Sequence, residues 1–427
     1  MINRRKGVAA VAVVGAAVLL AACGGSSGSS GGGSSSQAAA GAARGPITYV
    51  QGKDNSNTVR PLLDKWNAAH PNEKVTFKEQ SDQADQQHDD LVQHFQAKDP
   101  NYDVASVDVI WTAEFAAKGW LQPLEGQYAI DTAALLKPTV ESATFNGKLY
   151  VAPVTSDGGL LYYRKDLVPT PPKTWDEMMT DCSIAKKNGI DCYAGQFAQY
   201  EGLTVNAAEA INTAGGKIVA ADGSPTIDSP ESVKGLQRLA DAYKNGDIPK
   251  QAITFQEEQG RMQFEAGKLL FLRNWPYVYS LATKDATSKV KGKFAVAPLP
   301  GDSASKPGAS SLGGHNAAIS QYSAHKLTAL DFLKFLESPD TQRFLLTQAS
   351  NAPALASLYD DPALNKQFGY LSTLKTSISN AVPRPVTPFY PAVTKAIEQN
   401  SYAAIQGAKT PEQAIKDIQA AIAAQGS

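Results

Sequence analysis

The chain has 427 residues, a formal net charge of −1 and 43% hydrophobic residues. This length exceeds what one hydrophobic core usually supports, so we expect two lobes. Lysine and arginine are dispersed along the sequence without an interleaved aromatic stripe, which argues against a nucleic-acid partner.

The first 45 residues have the composition of an export signal followed by a tether. Cationic residues at 4–6 precede an uncharged run that is shorter than a membrane span, which predicts a signal peptide over 1–22. The sequence Leu-Ala-Ala-Cys at 20–23 resembles a bacterial lipobox, so we expect lipidation of Cys23. An ordinary signal peptide and a buried helix are the alternatives. Residues 23–45 are mostly Gly, Ser and Ala, which predicts a flexible tether to the outer leaflet of the bacterial plasma membrane.

The next segments alternate strands with helices. We expect strands at 47–50, 75–77 and 107–111, and helices over Val59–Trp66 and 85–97, where apolar residues recur at helical spacing. This order predicts an α/β fold with a doubly wound parallel sheet. Ligands of such sheets lie beyond the carboxyl ends of the strands, which here are the loop 52–57 and the segment 108–112.

Later segments predict more elements of the same class. Thr174 and Glu177 have the spacing of a capping box at a helix start. A strand is expected over 294–298 and an amphipathic helix over 324–337. Thr410, with Pro and Gln after it, marks the start of a last helix.

Two cysteines, Cys182 and Cys192, lie close together in the body of the chain. In an exported protein this spacing predicts a disulfide, which would contribute about 2–3 kcal/mol through the entropy of loop closure. Two free buried thiols are the alternative. A metal site is disfavoured because no histidine or second cysteine pair lies nearby.

Motifs of catalysis are absent from the sequence. It contains no His-Glu-x-x-His metalloprotease motif, no phosphate-binding Walker loop and, outside the Gly/Ser-rich segment 24–45, no Gly-x-Ser-x-Gly nucleophile turn. We therefore expect no enzyme activity, no cofactor and no metal. Two carboxylates from distant segments could still flank a glycosidic bond, so an exported glycoside hydrolase stays open as an alternative.

Several segments together resemble the extracytoplasmic sugar-binding proteins of ABC importers, over about residues 46–425. They are most similar to the trehalose/maltose-binding branch and to actinobacterial trehalose-recycling lipoproteins. The segments that carry the resemblance are Val107–Ala116, Gly119–Leu121, Leu160–Leu167, Phe264–Lys268, Asn274–Val278 and Pro383–Pro388.

The resemblance implies a periplasmic-binding-protein-like fold with two α/β lobes hinged around a ligand cleft. The N-terminal lobe would comprise 46–153 and 298–343, and the C-terminal lobe 154–297 and 344–427. The hinges would lie near Pro153, Pro298 and Thr341.

The resemblance also implies which residues bind the sugar. Carboxylates accept hydrogen bonds from hydroxyl pairs, arginine donates in a fork, and aromatic rings stack on the C–H faces of a sugar. Asp108, in an apolar strand, needs a partner or a function, and Arg384 is held between two prolines. The implied ligand-binding residues are Asp54, Asn55, Asp108, Asp157, Glu257, Trp275, Gly314, His315 and Arg384, with Glu258 as the rival of Glu257.

Two positions depart from the pattern of some relatives. His315 and Thr155 stand where those relatives have aromatic residues. Polar side chains suit a small, hydroxyl-rich ligand, so we expect trehalose first and maltose or another α-glucoside second. The predicted protein is a monomeric, lipid-anchored receptor that delivers this disaccharide to an ABC permease. A lipoprotein scaffold without a small ligand is a further alternative.

Overall fold

The structure is a computed structural model, and it describes residues 43–220 and 223–425. The predicted signal peptide, Cys23 and most of the predicted tether lie outside the described residues. Within the described part of the chain, no helix combines the length and the apolar character that crossing a membrane requires.

The described residues form strands and helices that alternate through most of the chain. The strands are β1 (Ile47–Gln51), β2 (Val75–Glu79), β3 (Val104–Asp108), β4 (Thr144–Phe145), β5 (Lys148–Leu149), β6 (Val151–Pro153), β7 (Asp157–Gly158), β8 (Leu160–Arg164), β9 (Asp191–Ala194), β10 (Leu269–Asn274), β11 (Phe294–Ala297), β12 (Leu312–Gly313) and β13 (His315–Ile319). The helices are α1 (Val59–Ala69), α2 (Ala84–Gln96), α3 (Thr112–Ala117), α4 (Lys137–Ser142), α5 (Trp175–Lys187), α6 (Glu201–Thr213), α7 (Pro230–Asn245), α8 (Glu257–Glu265), α9 (Tyr277–Lys284), α10 (Lys326–Glu337), α11 (Pro339–Ala349), α12 (Pro362–Gln367), α13 (Leu371–Ser379), α14 (Tyr390–Ile405) and α15 (Pro411–Ala423).

The first lobe is built on a five-stranded sheet in the order β2-β1-β3-β13-β6. β1 pairs in parallel with β2 and β3, as the alternating pattern predicts. β13 is antiparallel to both β3 and β6, so the sheet is mixed and the predicted parallel pairing holds for β1, β2 and β3 alone among its strands. Helices cover both faces of the sheet, and their apolar side chains, among them Leu63, Trp66, Leu91 and Phe115, are buried in clusters with those of the strands.

The second lobe has a four-stranded mixed sheet in the order β11-β8-β10-β9. The predicted capping box is present at the start of α5, where Thr174 accepts a hydrogen bond from the backbone of Glu177. A disulfide joins Cys182 of α5 to Cys192 of β9. A separate helical cluster of α6, α7, α14 and α15 packs around apolar residues.

Within residues 43–220 and 223–425, three segments cross between the lobes. The first follows Pro153, and the second joins β12 to β13, with β7 and β12 pairing as a short antiparallel ribbon. Leu299 packs in the core of the second lobe, so the chain returns to the first sheet at β13, later than the predicted Pro298. The third crossing comprises α11 and the segment after it up to Ala354, since Leu345 packs in the first core and Leu346 in the second.

Candidate functional site

A cavity of about 280 Å³ opens between the two lobes. Its walls include the carboxyl end of β3, the first loop, the start of α8, the end of β10 and the crossing at β12 and β13. All nine side chains or glycines that the resemblance implies for ligand binding line it: Asp54, Asn55, Asp108, Asp157, Glu257, Trp275, Gly314, His315 and Arg384.

Asp108 is the last residue of β3, so its strand ends three residues earlier than the predicted 107–111. The carboxylate accepts a hydrogen bond from the backbone N–H of Ile110 at 3.2 Å. Its Oδ1 also lies 3.5 Å from Nη2 of Arg384, which belongs to the second lobe. Asp108 therefore lies at the carboxyl end of a strand, where α/β sheets bind ligands, and contacts the opposite lobe.

Arg384 is 5% exposed and is held by a carboxylate that the sequence did not reveal. Its Nη1 donates to Glu201 at 2.5 Å and its Nη2 to the carbonyl of Leu312 at 3.1 Å. Burial raises the pKa of Glu201, and the charge of Arg384 opposes that rise. The Nε of Arg384 is buried without a protein acceptor, so one N–H remains for another acceptor.

Trp275 follows β10 and is half-buried at the cavity wall. The guanidinium of Arg273 lies over the indole, 3.9 Å from the ring centroid. Next to the ring is Gly313, where an added Cβ would approach the indole to 2.8 Å. The guanidinium occupies one face of Trp275, and the residue as a whole lines the cavity.

Asp157 begins the ribbon strand β7 and lines the cavity. Burial and the nearby charge of Asp108 raise the pKa of the Asp157 carboxyl to about 7. A carboxyl group with such a pKa is partly protonated near neutral pH, so it can donate as well as accept a hydrogen bond.

Glu257 and Glu258 both line the cavity at the start of α8, but they have different partners. Glu258 pairs with Arg261 at 2.6 Å and accepts from the hydroxyl of Tyr277. Glu257 accepts from the hydroxyl of Tyr200 at 2.7 Å, and burial raises its pKa. Because Glu258 is already neutralised by an arginine, Glu257 is the better candidate to accept from a ligand.

Gly314 and His315 lie where the second crossing enters the first sheet. Gly314 has φ of +120°, and an added Cβ would lie 2.2 Å from the carbonyl oxygen of Thr155, so only glycine fits there. The backbone N–H of His315 donates to the hydroxyl of Thr155 at 2.9 Å. Thr155 and His315, which stand where some relatives have aromatic residues, are therefore neighbours on the cavity wall.

The first loop contributes Asp54 and Asn55. Both carboxylate oxygens of Asp54 accept from backbone N–H groups at the start of α1, from Thr58 at 3.1 Å and Val59 at 2.7 Å. Asp54 thus caps a helix in addition to lining the cavity. Asn55 lines the cavity beside it.

Sequence reasoning did not find the residues that hold the implied binding residues in place. Glu201, Tyr200 and Glu209 are distant in sequence from their partners and belong to no local motif. Arg273 was not predicted either, although a charged residue in the apolar run of β10 is a signal of a buried partner.

Comparisons with known proteins identify the family. A model described as bacterial extracellular solute-binding protein matches residues 50–343. A relative named "Probable ABC transporter-binding protein" in Deinococcus radiodurans is 32% identical over 346 residues, covering 78% of this chain and 81% of the relative. The chain belongs to the bacterial extracellular solute-binding proteins.

Solved structures of this family share the fold of the solute-binding protein described here. A maltose-bound structure of T. maritima MalE3 is 34% identical, with a TM-score of 0.83, and the match covers 88% of this chain and 98% of that one. A binding protein of Thermotoga lettingae with α-D-tagatose is 25% identical, with a TM-score of 0.80 and coverage of 90% and 99%. These likenesses establish the two-lobed α/β binding-protein fold.

Among the described residues of this solute-binding protein, no cluster of three or more His, Cys, Asp or Glu side chains could hold a metal ion. The cavity presents carboxylates, one buried guanidinium and an indole face. These groups are suited to binding a neutral, hydroxyl-rich molecule.

Proposed function

We propose that this protein is a lipid-anchored receptor that captures a disaccharide and delivers it to an ABC permease. One observation carries the proposal. The nine residues that the resemblance assigns to sugar binding come from segments across the chain, and all of them line one cavity between the lobes. The proposal includes a lipid anchor at Cys23, which rests on the resemblance to a lipobox. It also includes an ABC permease as partner, which rests on the family.

The chemistry of the cavity supports a sugar ligand. Asp108 and Glu257 are acceptors for pairs of hydroxyl groups, and the indole of Trp275 offers a face for sugar C–H groups. The unpartnered Nε of Arg384 suits a ligand oxygen. A buried donor without a partner costs about 1–3 kcal/mol, so a ligand that supplies the acceptor recovers that free energy.

The size of the cavity supports a short saccharide. A volume of about 280 Å³ lies near the lower end of small-molecule sites, which span about 300–1,000 Å³. A disaccharide has about 23 heavy atoms, and at about −0.3 kcal/mol per atom its binding free energy is roughly −7 kcal/mol. That value corresponds to micromolar affinity, which allows both capture and release.

Trehalose is the first choice of ligand, and maltose or another α-glucoside is the second. The support for trehalose is the pair of polar residues, Thr155 and His315, where some relatives have aromatic platforms for longer maltodextrins. The T. maritima neighbour was solved with maltose, which makes maltose the close competitor.

Isothermal titration calorimetry of the full-length protein in detergent tests the proposal, with trehalose, maltose and lactose as the panel. We expect 1:1 micromolar binding of trehalose without release of glucose. Tenfold tighter binding of maltose would reject the choice of sugar, and silence across the panel would reject the ligand class. Release of glucose would assign the protein to the glycoside hydrolases.

Metabolic labelling with a radioactive fatty acid tests the anchor separately. We expect label on the wild-type protein and its loss in the Cys23→Ser variant, which should also leave the membrane fraction. Label on the Cys23→Ser variant would contradict the proposed anchor.

A further inference from the structure

A buried ion pair lies directly behind Trp275. Arg273 is 1% exposed and donates from Nε and Nη2 to the two carboxylate oxygens of Glu209, at 2.8 and 2.5 Å. Its Nη1 donates to Gln196 at 3.0 Å. All of the nitrogen atoms of the guanidinium therefore have acceptors in the plane of the group, which fixes its orientation under the indole.

The same carboxylate contacts the crossing between the lobes. Oε1 of Glu209 accepts a hydrogen bond from the backbone N–H of Ser311 at 2.9 Å, immediately before β12. Gly159, at the end of the ribbon formed by β7 and β12, packs against the pair so closely that an added Cβ would lie 2.7 Å from Nη2 of Arg273. The pair therefore joins the indole to two crossing segments.

Burial of this pair needs an explanation, because a buried ion pair is rarely more stabilising than apolar residues of the same volume. A second cavity of about 50 Å³, lined by Arg273, Glu209, Trp175 and Tyr193, lies behind the pair. On that side the indole of Trp275 packs against the guanidinium of Arg273. The guanidinium provides the surface on which it rests.

We propose that Arg273 and Glu209 are positioning residues of the ligand site. Arg273 holds the indole of Trp275 at the angle needed for stacking, and Glu209 fixes Arg273 and ties it to the crossing at Ser311. Neither residue is among those that the family resemblance assigns to ligand binding. The inference rests on the proposed function, because its consequence is measured as ligand affinity.

Four variants of the full-length protein in detergent test the inference, and the two that change Arg273 are also made in the Trp275→Phe background. Arg273→Lys keeps the charge but loses the fork that pairs with Glu209. The double variant Arg273→Met with Glu209→Gln removes both charges, so no unpaired charge is left buried if the single variant fails to fold. Subtracting the fluorescence spectrum of a protein with Trp275→Phe from that of the same protein without this change gives the emission of the Trp275 indole. Arg238→Lys is the matched control, because Arg238 lines the same rear cavity.

We expect the ligand-free emission of Trp275 to shift to the red in Arg273→Lys and in the double variant, because water replaces the guanidinium over the ring. Trehalose or maltose affinity should fall about tenfold in both, in line with a desolvated cation–π contact. The loss should vanish when Trp275 is already phenylalanine, since the two residues act together. Arg238→Lys should change neither emission nor affinity.

Two results would overturn the positioning role. One is an unchanged Trp275 emission in both folded variants, and the other is an affinity loss that persists in full in the Trp275→Phe background. Failure of the proposed function has a different signature, because the wild-type protein would then bind neither sugar. In that case the ligand-free emission alone still decides whether Arg273 and Glu209 orient the indole.

Discussion

Asp157 has the most informative protonation behaviour among the predicted ligand-binding residues. Its carboxyl group titrates near pH 4 in the unfolded chain and about pH 7 in the folded protein. The folded state therefore binds more protons between these values, and the contribution of Asp157 to stability falls as the pH rises through this window. Above pH 7 the penalty is constant, and it amounts to less than about 4 kcal/mol because the side chain is partly exposed.

Replacing Asp157 with asparagine removes this penalty. We expect Asp157→Asn to melt at a higher temperature than the wild type at pH 8, and the difference to shrink towards zero near pH 4. Thermal unfolding of both ligand-free proteins between pH 4 and 8.5 measures it. Asp64→Asn, on the exposed side of α1, is the control and should show no such trend. If the melting temperature of the wild type rose relative to that of Asp157→Asn as the pH increased, the expected direction of this pH dependence would be wrong.

Gly314 shows how one backbone position can depend on glycine. Its φ of +120° and the 2.2 Å approach of a Cβ to Thr155 both oppose a side chain. We expect Gly314→Ala to lose at least about 2–3 kcal/mol of unfolding free energy, measured by urea denaturation. Gly119→Ala is the comparison, because Gly119 has φ of +68° and open space around it. That variant should lose only about 1 kcal/mol, and equal losses would show that the clash contributes nothing.

At the scale of elements, the sequence predicted the features that depend on residues close together in the chain. The strands and helices of the first lobe up to α2 have the predicted order, and the caps at Thr174 and Thr410 accept the expected backbone hydrogen bonds. These features depend on residues three or four positions apart, so periodicity and cap chemistry reveal them.

Contacts between distant segments could not be predicted in that way. The antiparallel entry of β13 beside β3 and the pairing of Glu201 with Arg384 join residues about 200 positions apart. Neither hydrophobic period nor charge spacing specifies such partners. The sheet rule alone indicated the loop of Asp54 and Asn55 and the strand end at Asp108. The full set of nine cavity residues came from the resemblance, and the residues that support them, such as Glu209, were not predicted.

The disulfide between Cys182 and Cys192 connects α5 to β9 over a short loop. Because the bond restricts the unfolded chain, we expect the Cys182→Ser, Cys192→Ser double variant to lose about 3 kcal/mol of unfolding free energy. Thermal unfolding with and without a reducing agent provides the measurement. The melting temperature of the wild type should fall in the reductant, and that of the double variant should not move. Equal responses of the two proteins would exclude a stabilising disulfide.

At the scale of the whole molecule, one buried side chain forms hydrogen bonds with two of the segments that cross between the lobes. Gln342 of α11 is 1% exposed. Its amide nitrogen donates to the carbonyls of Val154 and Leu336, at 2.8 and 3.0 Å, and its oxygen accepts from the N–H of Ala354 at 2.9 Å. Val154 belongs to the first crossing and Ala354 to the third, so a single amide fixes their separation.

Replacing this amide with an apolar side chain of similar length isolates its role. In Gln342→Met the two carbonyls and one N–H lose their partner in a buried place, and we expect a loss of about 3 kcal/mol of unfolding free energy, roughly 1 kcal/mol for each group. Gln348→Met, on the exposed side of the same helix, is the matched control and should stay within about 0.5 kcal/mol of the wild type. Urea denaturation followed by circular dichroism compares the three proteins. If Gln342→Met were as stable as Gln348→Met, the crossings would be held by their backbone pairing alone, and the ribbon of β7 and β12 would then define the hinge without help from α11.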